Sequence, residues 1–443
     1  GGWAIDHLAG ARGDLLLLLD DGWDVPRGVD ALPAPRGRFG SLLPDAQRFP
    51  AAGDATTRLR ALVERARGAG WAGLGVWLAV EPDTGGDEQR SRSMPLREME
   101  RYWSERAALH RAAGVGYWKA DWGHHSRSLD VRRLLSRLGR AHGIAVEHAS
   151  CQWALNDWLG SCRAAGQRWG EVNDQTADSV AMLGFGDVFR CYDVLGQLAT
   201  PTMLDRVATL LAAAPPGAPA VLNAEDEVYL GAALGCTLGI MRHPRMATHG
   251  RTAAARHDGQ RAAEAVRAVR WQRLAPPLGA GAASTILDGD CLADEHLFRP
   301  EDTWAHWHHG TVVRQLAPAR IARGLELPTV SCAGDPPFVV ASRHPGGAVG
   351  VAALPRRLAA RGLIAPPAEI GLRLPAGSRR IASFGSCAAL RLRSPDRPTR
   401  VLAQDLASDE ALDITAQVRR DDDALVIPGE LIERLGTRAN PPG

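Results

Sequence analysis

Short apolar runs and amphipathic stretches alternate over the first two thirds of the chain. Leu15 to Leu19 is an apolar run too short for a buried helix, and it stops at Asp20-Asp21-Gly22-Trp23. Residues 54–67 put Leu59, Leu62, Val63 and Ala66 on one helical face, with Gly68 and Gly70 as stop signals. Gly73 to Val80 reads as a strand, 95–112 as a helix, and Val115 to Ala120 as the next strand. Over 129–139, Val131, Leu134, Leu135 and Leu138 recur at 3.6 spacing, with Ser126 or Ser128 placed to cap that helix. Strands are expected at Ile144 to Glu147, near Trp169 to Asn173, at Ala220 to Asn223 and at Thr237 to Met241, with a last helix over 258–271.

This rhythm predicts a parallel sheet with helical crossovers. No glycine-rich phosphate loop follows a strand, which favours an α/β fold of the closed (β/α)8-type TIM barrel over an open dinucleotide-binding sheet. The pattern supplies seven strands where a full barrel needs eight, and the missing first one is expected upstream of Gly1. After about residue 275 the pattern changes. Phe338 to Ala341 and Ala348 to Val351 flank a Pro345-Gly346-Gly347 turn, and alternating runs follow at 369–374, 388–393, 400–406, 412–418 and 424–427. Short strands at such spacing predict a C-terminal antiparallel β-sandwich. The expected organisation is a barrel over 1–275, a connector over 276–309 and an all-β domain over 310–443.

The 443 residues are 45% hydrophobic and 23% charged, which is ordinary for a globular core and rules out wholesale disorder. Fifty-two basic and 50 acidic residues give a net charge of +2, far from the basic stripe of a nucleic-acid binder. No apolar run is long enough to span a bilayer. The seven cysteines form no CxxC pair, so free thiols are expected, and with no visible signal peptide they favour a cytoplasmic chain. The Gly-Gly-Trp start implies a missing upstream piece.

One count stands out. Lys119 is the only lysine, in a chain where arginine supplies all the other strong bases. A residue type pushed out everywhere else points to a position that chemistry dictates. Five predicted strand ends carry acids, amides or this lysine: Asp20-Asp21, Lys119-Ala120-Asp121, Glu147-His148, Asn173-Asp174 and Asn223. In a barrel such ends open onto one face, which is the active-site face. Trp23, Trp77 and Trp122 lie beside them.

The runs LLLLLDDGWDVP, Arg48-Phe49-Pro50 and GVGYWKADW resemble the retaining α-galactosidases of glycoside hydrolase families 27 and 36, over about residues 10–245. Asn173-Asp174-Gln175-Thr176 is similar to the run that carries the acid/base in family 36. By position the resemblance implies Asp121 as nucleophile and Asp174 as general acid/base. It implies Lys119, Asp20 and Asp21 as ligands of sugar hydroxyls, Glu147 as binder of the 2-position substituent and Arg168 as a basic residue after strand six. It implies an α-linked carbohydrate substrate and no cofactor or metal. The chain departs from the families in three places: the first-strand motif is absent, His148 to Trp153 replaces a glycine-rich segment, and Glu81-Pro82 adds an acid.

Elementary chemistry fits these roles. Retaining cleavage needs two carboxyls about 5–5.5 Å apart, one attacking and one holding a proton. Lys119 and Asp121 are two apart, so on a strand they share a face, and an ammonium beside a carboxylate favours its ionised form. Trp23 and Trp77 are candidates to stack on a sugar face. Glu171 and Asp178 are the alternatives to Asp174. Two other readings stay open: a carbohydrate-binding barrel without turnover, and a metal-dependent barrel hydrolase using His124, His125 and His148 with Asp121 and Glu147. The His306 to His309 region reads as a packed turn in the connector.

Overall fold

The computed structural model describes residues 8–25, 41–85, 87–149, 166, 168–172, 176–191, 199–225, 227–240, 258–297, 309–358, 362–364, 368–421 and 423–436. The chain divides into two compact units, Gly1–Ala154 with Asp174–Arg190, and Leu155–Asn173 with Cys191–Gly443.

In the first unit five parallel strands follow one another in sequence order: β1 Leu16–Leu19, β2 Gly73–Leu78, β3 Tyr117–Ala120, β4 Ala145–His148 and β5 Val188–Arg190. The connections are helical: α1 Ala55–Gly68, the short α2 Glu88–Ser93, α3 Leu96–Ala113, α4 Leu129–His142 and α5 Ala177–Leu183. Each long helix starts and stops where its sequence says it should. The Asp54 side chain accepts the Thr57 N–H and the Ser128 side chain accepts the Val131 N–H, while Gly114 and Gly143 close α3 and α4 in the left-handed conformation.

Alternation along the strands gives the sheet two different faces. Leu74, Val76, Trp118 and Val146 pack under Leu59 and Val63 of α1, Met99, Trp103 and Ala107 of α3, and Val131, Leu134 and Leu135 of α4. The other set joins one indole, Trp77, to the charged side chains Lys119, Glu147 and Arg190, and all four are buried. Close helix-to-sheet approach at β4 depends on Gly139, where an added Cβ would lie 2.5 Å from Val146 Cγ2 and 2.6 Å from the Ile144 carbonyl.

Of the strand expected over Trp169 to Asn173, the described residues 169–172 form none, being turn and irregular chain. The next strand is β5, three residues with no periodicity of their own. Likewise, described residues 237–240 contribute only a single bridge at Thr237.

The second unit contains the strand Val221–Asn223, the helices Ala199–Ala213, Val228–Leu234 and Asp258–Gln272, and two five-stranded sheets. One sheet is ordered 380–384, 348–354, 338–343, 320–323, 285–287, and the other 329–331, 369–373, 389–393, 424–428, 419–421. Val339, Val351 and Ala353 of the first pack with Ile370, Leu372, Leu390 and Leu392 of the second, so the layered arrangement is present. The 338–343 and 348–354 strands form the expected hairpin. The sheets are mixed and not purely antiparallel, since three strand pairs run parallel, including Glu369–Arg373 beside Ala389–Arg393. Part of the expected connector is also strand: Thr285–Leu287 joins a sheet and Cys291–Leu297 pairs with Val312–Pro318. Among the described residues no helix is long and apolar enough to cross a membrane.

His110 on α3 carries the clearest pH consequence. Its ring is fully buried, Nδ1 accepts the Trp118 indole N–H at 2.8 Å, and Nε2–H donates to the Leu42 carbonyl at 2.8 Å. Burial pushes its pKa down from 6.5 to about 4. Burial, with Arg132 nearby, also holds His148 well below its ordinary value. Both rings therefore fold neutral, and the unfolded chain binds protons that the folded chain refuses. Stability should fall as pH is lowered from about 6.5 to about 4, with roughly 3 kcal/mol from His110 alone. Urea unfolding at stepped pH checks this. His110→Gln should be less stable at pH 7 yet show a flatter acid slope, and an unchanged slope would remove His110 as the cause.

Candidate active site

Lys119 organises the C-terminal ends of β1, β2 and β3. Register sets it beside Trp77 on β2 and Glu147 on β4. Its ammonium is only 4% exposed and donates to both oxygens of Asp20, at 3.0 and 3.1 Å. Asp121 Oδ2 stands 3.6 Å from the same nitrogen and accepts the Trp77 indole N–H at 2.9 Å. An ammonium this deep is tolerable only when paired, and the two acids supply the pairing. Asp121 Oδ1 accepts nothing from the described residues. One oxygen of this carboxylate is thus pinned and the other is left for chemistry.

Behind this group lies a second charged set. Glu147 is buried, with Arg190 Nε 3.4 Å from its Oε1. The Tyr117 hydroxyl also bonds to Glu147, and burial followed by that acid's charge holds the phenol well above its usual pKa. Asp24, just after β1, is also buried. Burial raises its pKa to about 6, against the lowering effect of bonds from the Leu42 N–H and Ser41, and Asp21 adds a small like-charge push.

The two indoles expected to stack on sugar are inside. Trp77 is fully buried and spends its N–H on Asp121; Trp23 is 4% exposed and donates to the Trp77 carbonyl at 2.8 Å. Both support the carboxylate and offer no open ring face. The exposed ring is Trp122, 38% accessible and edge-on to Trp77 at 5.9 Å. Its loop is fastened to the end of β2, with Val80 N–H donating to the Trp122 carbonyl and His125 N–H to the Val80 carbonyl. Gly123, at φ +136°, makes that approach possible, because a Cβ there would meet the Val80 backbone at 2.9 Å.

The structure brings together Asp20, Lys119, Asp121 and Trp77, with Trp23 behind and Glu147 in register. Asp21 is exposed, and its backbone N–H donates to Asp20. Arg168 belongs to the second unit, where it is exposed and its N–H donates to Glu171. Asp174 lies outside the described residues, as does Asn173 before it. Asn223, also in the second unit, accepts the Gly239 N–H. His124 faces Glu81 and Glu88, His125 the Ser91 carbonyl, and His148 the Ser136 hydroxyl, so the three histidines do not converge. Among the described residues no three His, Cys, Asp or Glu side chains could hold a metal ion. Sequence reasoning missed Arg190, because its strand was missed, and Tyr117, although its two-residue spacing from Lys119 could have found it.

Trp77 and Lys119 share one oxygen, so their contributions should not add. Trp77→Phe and Lys119→Met should each cost about 1–3 kcal/mol in urea unfolding. The double variant should differ from the sum by at least about 0.5 kcal/mol. Strict additivity would show that the two donors act on Asp121 independently.

No protein-family model and no curated protein matches the chain. Among solved structures it is similar to a glycoside hydrolase family 27 β-L-arabinopyranosidase from Geobacillus stearothermophilus, at 12% identity over 65% of this chain and 76% of that one, with a TM-score of 0.36. A variant of the same enzyme in complex with arabinose gives 11% identity over 76% and 80%, with a TM-score of 0.39. Likeness of this degree leaves fold and chemistry to be argued from the chain's own residues.

Proposed function

We propose that the chain is a retaining glycoside hydrolase of α-galactosidase type, acting on a terminal α-linked sugar with Asp121 as nucleophile. The observation that carries this reading is the half-pinned Asp121 carboxylate, held by Trp77 and Lys119 through one oxygen. The sheet supports it as well. Strands in unbroken sequence order, with no reversal and with helices on one face, are what a (β/α)8-type barrel contains, and a barrel's active site lies at those strand ends.

In the first step Asp121 Oδ1 attacks the anomeric carbon. The glycosidic C–O bond breaks, its electron pair goes to the leaving oxygen, and that oxygen takes a proton from the acid. Water, deprotonated by the same group, then displaces Asp121 and restores the configuration. Lys119 and Asp20 hold sugar hydroxyls, Glu147 backed by Arg190 and Tyr117 faces the 2-position, and Trp122 offers the stacking surface. Asp174 is the acid that motif resemblance supplies. The first acid after β5 in the sequence is Asp193, also outside the described residues, and with β5 as the next strand it becomes the rival for that role.

Hydrolysis of a panel of nitrophenyl α-glycosides, with and without chelator, tests the reading. Turnover should survive chelation. Sugar binding without turnover would instead favour a non-catalytic carbohydrate-binding protein. Asp121→Gly should abolish turnover on every substrate, and azide should restore it while giving a glycosyl azide of inverted configuration. Of Asp174→Gly and Asp193→Gly, the variant lacking the true acid should keep dinitrophenyl glycosides, which need little protonation, and lose unactivated ones. Equal loss on both substrate kinds removes that residue from the role.

A further inference from the structure

Arg132 on α4 is fully buried, and among the described residues no carboxylate pairs with it. Its guanidinium is spent on four backbone carbonyls. Nε donates to Ser126 at 2.9 Å, Nη1 to Ala120 at 2.7 Å, and Nη2 to Asp121 at 2.9 Å and Ala149 at 3.0 Å. Three of these carbonyls belong to the C-terminal ends of β3 and β4, and the fourth to the loop that follows Asp121.

Chain leaving a parallel sheet has carbonyls with no ladder partner, and buried ones must be satisfied some other way. Here one planar fork collects them. The Ala149 N–H donates to the Ala120 carbonyl at 2.8 Å, so the two strand ends are also tied to each other. Lysine could not replace this fork, since a single ammonium cannot present donors in that fixed plane. A fully buried cation with no counter-ion is costly, and packing alone does not call for one.

We propose that Arg132 is the positioning residue that fixes the main chain of Asp121, complementing Trp77 and Lys119, which fix its carboxylate. The functional part rests on Asp121 being the nucleophile; the positioning part does not. Removing the fork frees the Asp121 carbonyl, and the carboxylate then samples orientations away from the reacting geometry. Misplacement by about 1 Å is enough to cost on the order of 100-fold in rate.

Two readouts on the full chain keep the parts distinct. In amide hydrogen exchange, Arg132→Met should exchange faster over 120–126 and at 149, with α1 and α3 unchanged. In turnover on a nitrophenyl glycoside, Arg132→Met should lose about 100-fold in kcat with little change in KM. Arg132→Gly should recover kcat when guanidinium is added well below denaturing concentrations, while equal ionic strength of sodium chloride does nothing. Arg132→Lys keeps the charge and serves if the other variants do not fold; it should show the same local exchange with a smaller rate loss. Wild-type exchange over 120–126 in a folded variant overturns the proposal. So does faster exchange in which kcat is unchanged. If the wild-type protein has no glycosidase turnover, the proposed function fails, and the exchange result alone still decides whether Arg132 holds Asp121.

Discussion

A buried ammonium has few ways to exist, and the end of this sheet is arranged around one of them. Lys119 sits on β3, with a neighbouring strand on each side and almost no contact with water. It stays charged at low cost only if carboxylates reach it, and Asp20 from just beyond β1 and Asp121 from just beyond β3 do so. β2 lies between those strands, so its side chain at that level must either block the ion pair or join it. Trp77 joins it, giving its N–H to Asp121. Trp23 then closes the set from behind by donating to the Trp77 carbonyl. Three strand ends are thereby held by one charge.

The same requirement explains why the two faces differ so sharply. Helices α1, α3 and α4 cover one face with aliphatic and aromatic side chains, which is the ordinary way to bury half a parallel sheet. On the other face the in-register row of Trp77, Lys119 and Glu147, with Arg190 beyond, places donors and an acceptor on neighbouring strands, each with a partner of opposite character. A one-residue slip of β3 would exchange Lys119 for Trp118 and lose both the ion pair and the Trp118 contact with His110. Register is therefore fixed from both sides, by apolar packing on one and by charge on the other.

Charges of the unit that never reach water are settled locally. Arg132 is satisfied by carbonyls and Arg190 by Glu147, while His110 and His148 avoid charge altogether. Asp24 remains the acid whose burial is only partly offset, and its raised pKa follows from that. None of these groups takes the second oxygen of Asp121, which accepts nothing from the described residues.

Much of this was legible in the sequence, and the limit has a physical cause. Periodicity marked α1, α3 and α4, apolar runs between them marked β1 to β4, and the Pro345-Gly346-Gly347 turn marked the hairpin at 338–354, because each of those segments carries a signal of its own. The isolation of Lys119, its two-residue spacing from Asp121 and the acids closing an apolar run pointed to the core of the site. A three-residue strand such as β5 has no period, so its place went to 169–173, and Arg190 was lost with it. Parallel pairings in the second unit could not be read, since hairpin signals report only neighbours in sequence. Burial direction was also hidden: indoles near a strand end look alike until register turns Trp77 inward and leaves Trp122 on the surface. Arg132 reads as one more arginine on a helix. Only the tertiary structure brings four carbonyls from three separate turns of the chain onto it, because such partners are set by how strand ends meet in space and not by any spacing along the chain.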